Sequence, residues 1–406
     1  MKTNIKLAWR NLWRNRRRTI ITISSIVFSV LLASWMRSMQ EGSYSSMIEN
    51  VVQYYSGYLQ VQDTAYWEEQ TLENTMKVEP EFVKEIQKIE NVTLVSHRIE
   101  SFALAANHQH SKPAIVLGIE PEKENKITNI SKRITKGSFL NAGDNGVILA
   151  KGLADYLDFE VGDTLVMIGQ GYHGISANGL FEVKGILNHP NQEFNKRLVF
   201  MDIKKARDFY SAYGLSTSLV IMTDDHNEVE KLKNNIAEIL PPGKTVMTWY
   251  EMQPEIQQLI QSDRGSGIIM LGILYLIIAF GMFSVVMMMV KERTREFGVV
   301  HAVGMKKARL SAVVFFETVY IGLIGCIIGL IASYFFCLYF YHNPIPLTGQ
   351  TAAATEQYGM EPYMYFSLAP PLFYNQMILV FFISIFISVF PVYNIFRLKI
   401  TKALRA

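Results

Sequence analysis

Residues 291–310 read KERTREFGVVHAVGMKKARL. This stretch is crowded with charge, yet an apolar run lies on each side of it, at 267–290 and 311–341. Two further apolar runs begin at 19 and end at 396. Each is long enough to cross a ~30 Å hydrocarbon core, which takes roughly 20 residues in a helix. The sequence therefore predicts a membrane protein with four transmembrane α-helices, at 19–39, 267–290, 311–341 and 374–396. Residues 40–266, between the first two, have ordinary mixed composition and are numerous enough for a soluble domain. The 50% hydrophobic and 18% charged fractions of the 406-residue chain agree with that division.

The net charge of +3 matters less than its distribution. Lys2, Lys6, Arg10, Arg14, Arg16, Arg17 and Arg18 precede the first span, six Lys or Arg fall in 291–310, and Arg397, Lys399, Lys402 and Arg405 follow the last span. Residues 342–373 contain neither Lys nor Arg. Basic residues in short loops stay cytoplasmic. Both termini and 291–310 are thus expected inside, with 40–266 and 342–373 outside, in a cytoplasmic (inner) membrane. The basic start and apolar run also fit a signal peptide, but the run is long and leads into Trp35, Met36 and Arg37, so an uncleaved anchor is expected. Cys326 and Cys337 both fall in the third span, so the outer domain folds without disulfides.

Residues 1–18 form a cytoplasmic amphipathic segment, with Ile5, Ala8, Trp9, Leu12 and Trp13 recurring at helical spacing. The first helix is expected to continue outward and stop at Gly57. Strands are predicted at YLQVQ (58–62), 114–120, 146–150, 164–169, 181–187, 197–201, 218–223 and 244–249. Helices are predicted at 80–90, 202–213, 226–240 (capped by Asp224 and Asp225) and 251–264. This is a mixed α/β domain in which the terminal strand–helix–strand units pair into one lobe and residues 100–200 form a second.

No P-loop, H-E-x-x-H, C-x-x-C or G-x-S-x-G occurs. His108 and His110, with His97 and Glu100 nearby in sequence, could ligate a metal, but a polar loop is the simpler reading, and no metal site is expected. No activated nucleophile is visible, so an enzyme is not expected, nor is a cofactor on this chain or a nucleic-acid partner. In the third span, Gly322, Gly325, Gly329 and Ser333 share a face, and Ser25, Ser29 and Ala33 do so in the first. Such stripes let helices approach closely, within or between subunits. Glu317, inside the third span, must either pair or snorkel toward Lys306, Lys307 or Arg309.

Residues 291–310 are expected to form a short helix ending at Gly304, with Glu292, Arg293, Arg295 and Glu296 on its polar side and Phe297, Val299, Val300 and Val303 on its apolar side. Such a helix, held between two spans, can dock on a cytoplasmic protein. ERTREFGVVHAVG resembles the coupling-helix signature of the FtsX/MacB/Lol type of ABC transporter permease, near E-R-T-R-E-I-G-I-L-R-A-(L/I)-G. AWRNLWRNRRRT at the start, FFETVYIGLIGCIIGLIAS in the third span and FPVYNIFRLKITKALR at the end are similar to the same family. His301 stands where the family usually has Arg, and Ile400 where it often has Pro.

The resemblance implies a permease subunit, with a MacB-like periplasmic core inserted between helices 1 and 2. A separate cytoplasmic ATPase holds ATP and Mg, and a second permease chain, identical or related, completes the membrane part. Membrane lipids surround it. Glu292, Arg293, Arg295, Glu296, Phe297, Gly298 and Gly304 would serve ATPase coupling, with Arg293, Glu296, Phe297 and Gly304 facing the ATPase. Residues 167–187 resemble the region that carries a chaperone-gripping hook in the lipoprotein-releasing branch, with Gly171, Tyr172, His173 and Ile175 at its tip; a plain hairpin is the alternative. Release of lipoproteins to a periplasmic chaperone is the leading expectation. Efflux with a periplasmic adaptor, or FtsX-like signalling without transport, are the alternatives.

Overall fold

The structure, a computed structural model, describes residues 2–14, 16–224, 228–357 and 362–397. Asp225, expected as a cap, and the basic tail from 398 onward, including Ile400, lie outside the described residues. The chain divides into two compact units. One comprises Met1–Ser45, Leu259–Pro346 and Tyr363–Ala406, and the other Ser46–Gln258 with Leu347–Pro362.

In chain order, α1 (Lys2–Arg14) and α2 (Arg16–Val51) come first, and a π-helical turn, Val52–Ser56, ends the helix. Gly57 stops it with φ of +66°, and a Cβ there would lie 2.3 Å from the Val220 side chain, so the stop needs glycine. There follow β1 (Leu59–Asp63), β2 (Met76–Lys77), α3 (Pro80–Lys88), β3 (Val92–Ala106), β4 (Ser111–Ile119), α4 (Pro121–Thr128) and β5 (Ile134–Gly137). Next are β6 (Val147–Ala150), α5 (Lys151–Leu157), β7 (Thr164–Gln170), β8 (Ser176–Leu187), α6 (Gln192–Asn195), β9 (Leu198–Asp202) and α7 (Ile203–Phe209). The domain finishes with β10 (Leu215–Ser216), β11 (Ser218–Thr223), α8 (Val229–Glu238), β12 (Lys244–Thr248) and α9 (Trp249–Met252). The last part holds α10 (Pro254–Glu292), α11 (Thr294–Ala302), α12 (Lys307–His342), β13 (Ile345–Pro346), α13 (Gln350–Gln357), β14 (Tyr363–Met364) and α14 (Pro370–Phe396).

The outer domain is built on one ten-stranded sheet in the order β12-β1-β11-β3-β4-β9-β6-β8-β5, with β7 bridging β3 and β8. The two expected lobes therefore share a sheet. Strand β3 joins them: Val92–Arg98 pairs β11, and Ala103–Ala106 pairs β7. Its other edge pairs β4 from Arg98 to Ala106. The pairings β3-β4-β9-β6-β8-β7-β3 close a ring of six strands. The expected strands at 114–120, 146–150 and 197–201 read as unbroken apolar runs because both faces are covered. Val116, Leu149 and Val199 enter one core cluster, while Ile115, Leu117, Ile148 and Phe200 enter another.

Sequence periodicity missed β3, α4 and α5. In β3 the alternation is interrupted by buried polar residues, Ser96 and Arg98. Arg98 is satisfied by Glu124 of α4, to which its Nε and Nη2 donate at 3.0 and 2.5 Å. A buried ion pair of this kind cannot be recognised from either segment alone.

Among the described residues, four helices are long and apolar enough to span a bilayer: Thr19–Tyr54, Pro254–Glu292, Lys307–His342 and Pro370–Phe396. Ile26, Val30, Met282, Val286, Ile321, Val380 and Ile387 form the core of the membrane unit. The glycine stripe of α12 works within the chain. A Cβ on Gly329 would sit 2.8 Å from Val30 Cβ of α2, one on Gly325 would sit 2.8 Å from Ile26, and one on Gly322 would meet Ser384 of α14 at 2.7 Å. Ser333 is buried and donates to the Leu330 carbonyl. On α2, Ser29 and Ala33 are buried as well, and Ser29 donates back to the Ser25 carbonyl.

Candidate functional site

The connection between α10 and α12 is a short helix bracketed by two breaks. Arg293 (φ −96°, ψ 2°) separates α10 from α11, and Gly304 (φ +107°) turns the chain after it. The positive φ explains a glycine at this point. His301 Nδ1 lies 2.8 Å from the Met305 carbonyl, so the imidazole that replaces the family's usual Arg ties down the same turn.

Arg293 does not face outward, contrary to the expectation. It is 5% exposed, and its Nη1 donates to both carboxylate oxygens of Glu317 at 2.7 and 2.8 Å. Its guanidinium also stacks 5.1 Å above the Phe297 ring. A charge at this depth is tolerated only when paired, which is why the guanidinium turns inward. Glu317 accordingly pairs with Arg293 rather than snorkelling toward Lys306, Lys307 or Arg309. Phe297 is buried as well, in a cluster with Val290, Leu310, Val314 and Ile395, and Gly298 is buried beside it. Arg293 and Phe297 fasten α11 to its own bundle.

The outward surface of α11 consists of other residues. Val303 is 85% exposed and Val299 48%. Glu292, Arg295, Glu296 and Gly304 are exposed too. Glu296 accepts from Arg14 Nη2 of α1 at 2.9 Å. Helix α1 presents three faces. Ala8 and Leu12 are buried, Trp9 and Trp13 are exposed, and Leu7, Asn11 and Arg14 border a cavity. This cavity, of about 760 Å³ and open to the surface, is lined on its other sides by Glu292, Arg293 and α11 and by Met305, Leu310 and Val313.

In the outer domain, the β7–β8 hairpin is the segment expected to carry a hook. Its tip is tied down instead of projecting. Gly171 N–H donates to the Ile175 carbonyl, Tyr172 N–H donates to the Tyr210 carbonyl at 2.8 Å, and His173 pairs with Glu73 at 3.1 Å. A Cβ on Gly171 would stand 2.5 Å from the Tyr210 oxygen, so the tip sits too close to the α7 segment for any other residue. Ile175 remains exposed. The hairpin's outward face is apolar: Leu104 of β3 lies opposite Ile168 of β7, and Val166 of β7 opposite Leu180 of β8. Phe102, Leu104, Ile168 and Leu180 are all exposed, and Leu180 reaches 70%. The alternation of strand side chains makes the reverse face, with Ala103, Leu165, Met167 and Val183, the domain core.

His108 and His110 fall in the β3–β4 turn, where both are exposed, and among the described residues no group of His, Cys, Asp or Glu could hold a metal. His97 lies at the far end of β3, its Nδ1 3.2 Å from Ser216 Oγ. His189 is a buried histidine that the sequence did not single out. It packs against Tyr54 and Phe194, and burial lowers its pKa to about 4.

Four spanning helices, a mixed α/β outer domain between the first two, and a fastened helical connection define a membrane-embedded permease subunit. The family model "FtsX-like permease C-terminal" matches residues 268–400, and "MacB-like periplasmic core domain" matches 19–239, more than half of the 406 residues. The chain belongs to the FtsX-like ABC transporter permeases with a MacB-like periplasmic core, and it is an integral membrane protein with an extracytoplasmic domain.

Among its relatives, the ABC transporter permease YtrF of Bacillus subtilis (strain 168) is 28% identical over 161 residues, 38% of this chain and 36% of YtrF. The lipoprotein-releasing system transmembrane protein LolC of Xylella fastidiosa (strain Temecula1) is 22% identical over 242 residues, 58% of each chain. LolE of Haemophilus influenzae is 20% identical over 255 residues, 61% of each. The chain thus spans between 36% and 61% of the length of these relatives. Among solved structures, the extracellular domain of the noncanonic ABC-type transporter YknZ from Gram-positive bacteria matches with TM-score 0.35 and 13% identity, covering 47% of this chain and 99% of that domain. The periplasmic region of MacB from Actinobacillus actinomycetemcomitans matches with TM-score 0.35 and 12% identity, covering 52% and 97%.

Proposed function

We propose that this chain passes the motion of a separate cytoplasmic ATPase, which holds ATP and Mg, to its outer domain, and that the cargo moved is membrane-anchored lipoprotein. Both termini and α11 then lie in the cytoplasm, in keeping with their basic residues. The observation that carries the coupling role is the fastening of α11: Arg293 and Phe297 hold it to α12 and α14, while Val299 and Val303 stay exposed for a partner. A force on the exposed valines would reach α12 through the buried ion pair. A second permease chain, a copy or a relative, would pair with this one in the membrane; α10 leaves Ile268, Ile269 and Phe280 exposed.

The lipoprotein reading draws on the LolC and LolE relatives and on the apolar outward face of β3, β7 and β8. An acyl chain leaving a bilayer needs apolar surface outside it, and contiguous exposed apolar residues mark interaction sites. The deciding experiment is to purify the tagged chain in mild detergent and identify its companions by mass spectrometry. A P-loop ATPase together with acylated lipoproteins, and a periplasmic chaperone, is the expected result. An ATPase with an adaptor and no acylated protein would replace lipoprotein release with efflux, and the absence of any ATPase would overturn the coupling role.

A further inference from the structure

We propose that the cavity between α1 and α11 binds one anionic phospholipid, its phosphate against Arg295 and an acyl chain along the apolar wall. The orientation rests on the reading above, which places this end of the bundle at the cytoplasmic leaflet. The cavity lies at the ends of the spans: α10 finishes at Glu292, α12 begins at Lys307, and the first span begins at Thr19. Headgroups meet acyl chains at that depth.

The lining divides in the way a lipid requires. Leu7, Val300, Met305, Leu310 and Val313 supply the apolar wall, and the carboxylates of Glu292 and Glu296 line the same cavity beside the arginines. Of the three arginines that line it, Arg293 is committed to Glu317 and Arg14 to Glu296. Arg295 is exposed and has no ion-pair partner among the described residues. Helix α1 carries Lys6, Arg10 and Arg14 and no acidic residue, and its Trp9 and Trp13 are exposed. Basic excess with tryptophans at the interface attracts anionic lipid, and a guanidinium suits a phosphate. A side chain of the ATPase is the competing occupant, but neither the basic excess nor the depth selects it.

The test uses the full chain purified without its ATPase, incubated with phosphatidylglycerol or with phosphatidylcholine of the same chains, and read by native mass spectrometry. One retained phosphatidylglycerol per chain, preferred over phosphatidylcholine, is expected. Arg295→Gln should weaken retention by about tenfold, the scale of one lost charge-assisted contact, and Val300→Trp, which fills the space along the apolar wall, should weaken it as well. Lys6→Gln with Arg10→Gln, outside the cavity lining, should weaken retention less than Arg295→Gln does, because they add only to the surrounding basic field. Should Val300→Trp fail to fold, the exposed Arg295→Gln decides alone. Equal retention by Arg295→Gln and the native chain, equal retention of the two lipids, or binding of free glycerol phosphate as tight as that of the lipid would each overturn the proposal. Failure of an ATPase to co-purify would remove the functional reading and leave this result standing.

Discussion

Arg293 Nη1 lies 2.7 Å and 2.8 Å from the two carboxylate oxygens of Glu317, with both side chains nearly excluded from solvent. The charged connection and the carboxylate inside the third span are therefore one device. The arginine of the signature holds α11 in place, and the glutamate nearly three turns into α12 is its anchor.

Removing one member of this pair should be costly. Glu317→Gln or Arg293→Gln leaves a buried charge without its partner, a loss of about 3–5 kcal/mol. Thermal unfolding in detergent would show it. Replacing both with Leu and Met should recover most of the stability but not ATPase coupling. A single variant as stable as the native chain would refute the structural role.

Phe297 and the exposed valines should separate fold from partner binding. Phe297→Ala opens the cluster around Val290, Leu310 and Ile395 and should cost about 3–5 kcal/mol. Val299→Asp with Val303→Asp should leave the melting temperature within a degree or so of native, since exposed substitutions usually change stability by about 0.5 kcal/mol or less, while ATPase co-purification is lost. Retained association in that double variant would place the ATPase contact elsewhere.

Gly329→Leu should separate α12 from α2. Even a Cβ at this position meets Val30 Cβ at 2.8 Å, and helix backbone cannot yield without moving the span. The readout is protease sensitivity of the membrane unit and loss of assembly. Normal assembly would show that the stripe is not packed as described.

His189 should make the outer domain sensitive to acid. Burial, the main cause, keeps its imidazole neutral down to about pH 4, with Arg133 acting in the same direction. An unfolded histidine titrates near 6.5. Between those values the unfolded chain binds more protons, so stability falls as pH drops from about 6.5 toward 4, by roughly 3 kcal/mol at most, and is level above that window. Melting curves at pH 7 and 4.5 should differ less for His189→Phe than for the native chain. An unchanged difference would assign the acid sensitivity to other groups.

Much was legible in the sequence because some signals are local. Hydropathy gave the four spans, charge gave the expected orientation, and the apolar runs of β4, β6 and β9 were visible because both faces of those strands are buried. The stop at Gly57 was legible because a left-handed turn after a long helix calls for glycine. By contrast β3 was not, since Arg98 breaks its pattern and finds Glu124 only through the fold. The hairpin tip reads as a candidate hook because its strand, glycine-rich loop and following F-x-V-x-G strand resemble that region of the lipoprotein-releasing branch. Tyr210 and Glu73, which hold it, are distant in the chain.

Residue order alone thus determined what depends on neighbours a few positions apart: spanning helices, strand runs, turns and the family signature. Tertiary structure decided which side of α11 is inside. Helical periodicity can divide a polar from an apolar face, but it cannot know that a carboxylate twenty-four residues onward will draw the arginine inward. The cost of leaving a charge unpaired at that depth exceeds the preference of the guanidinium for water, so the polar residue is buried and two valines are left outside.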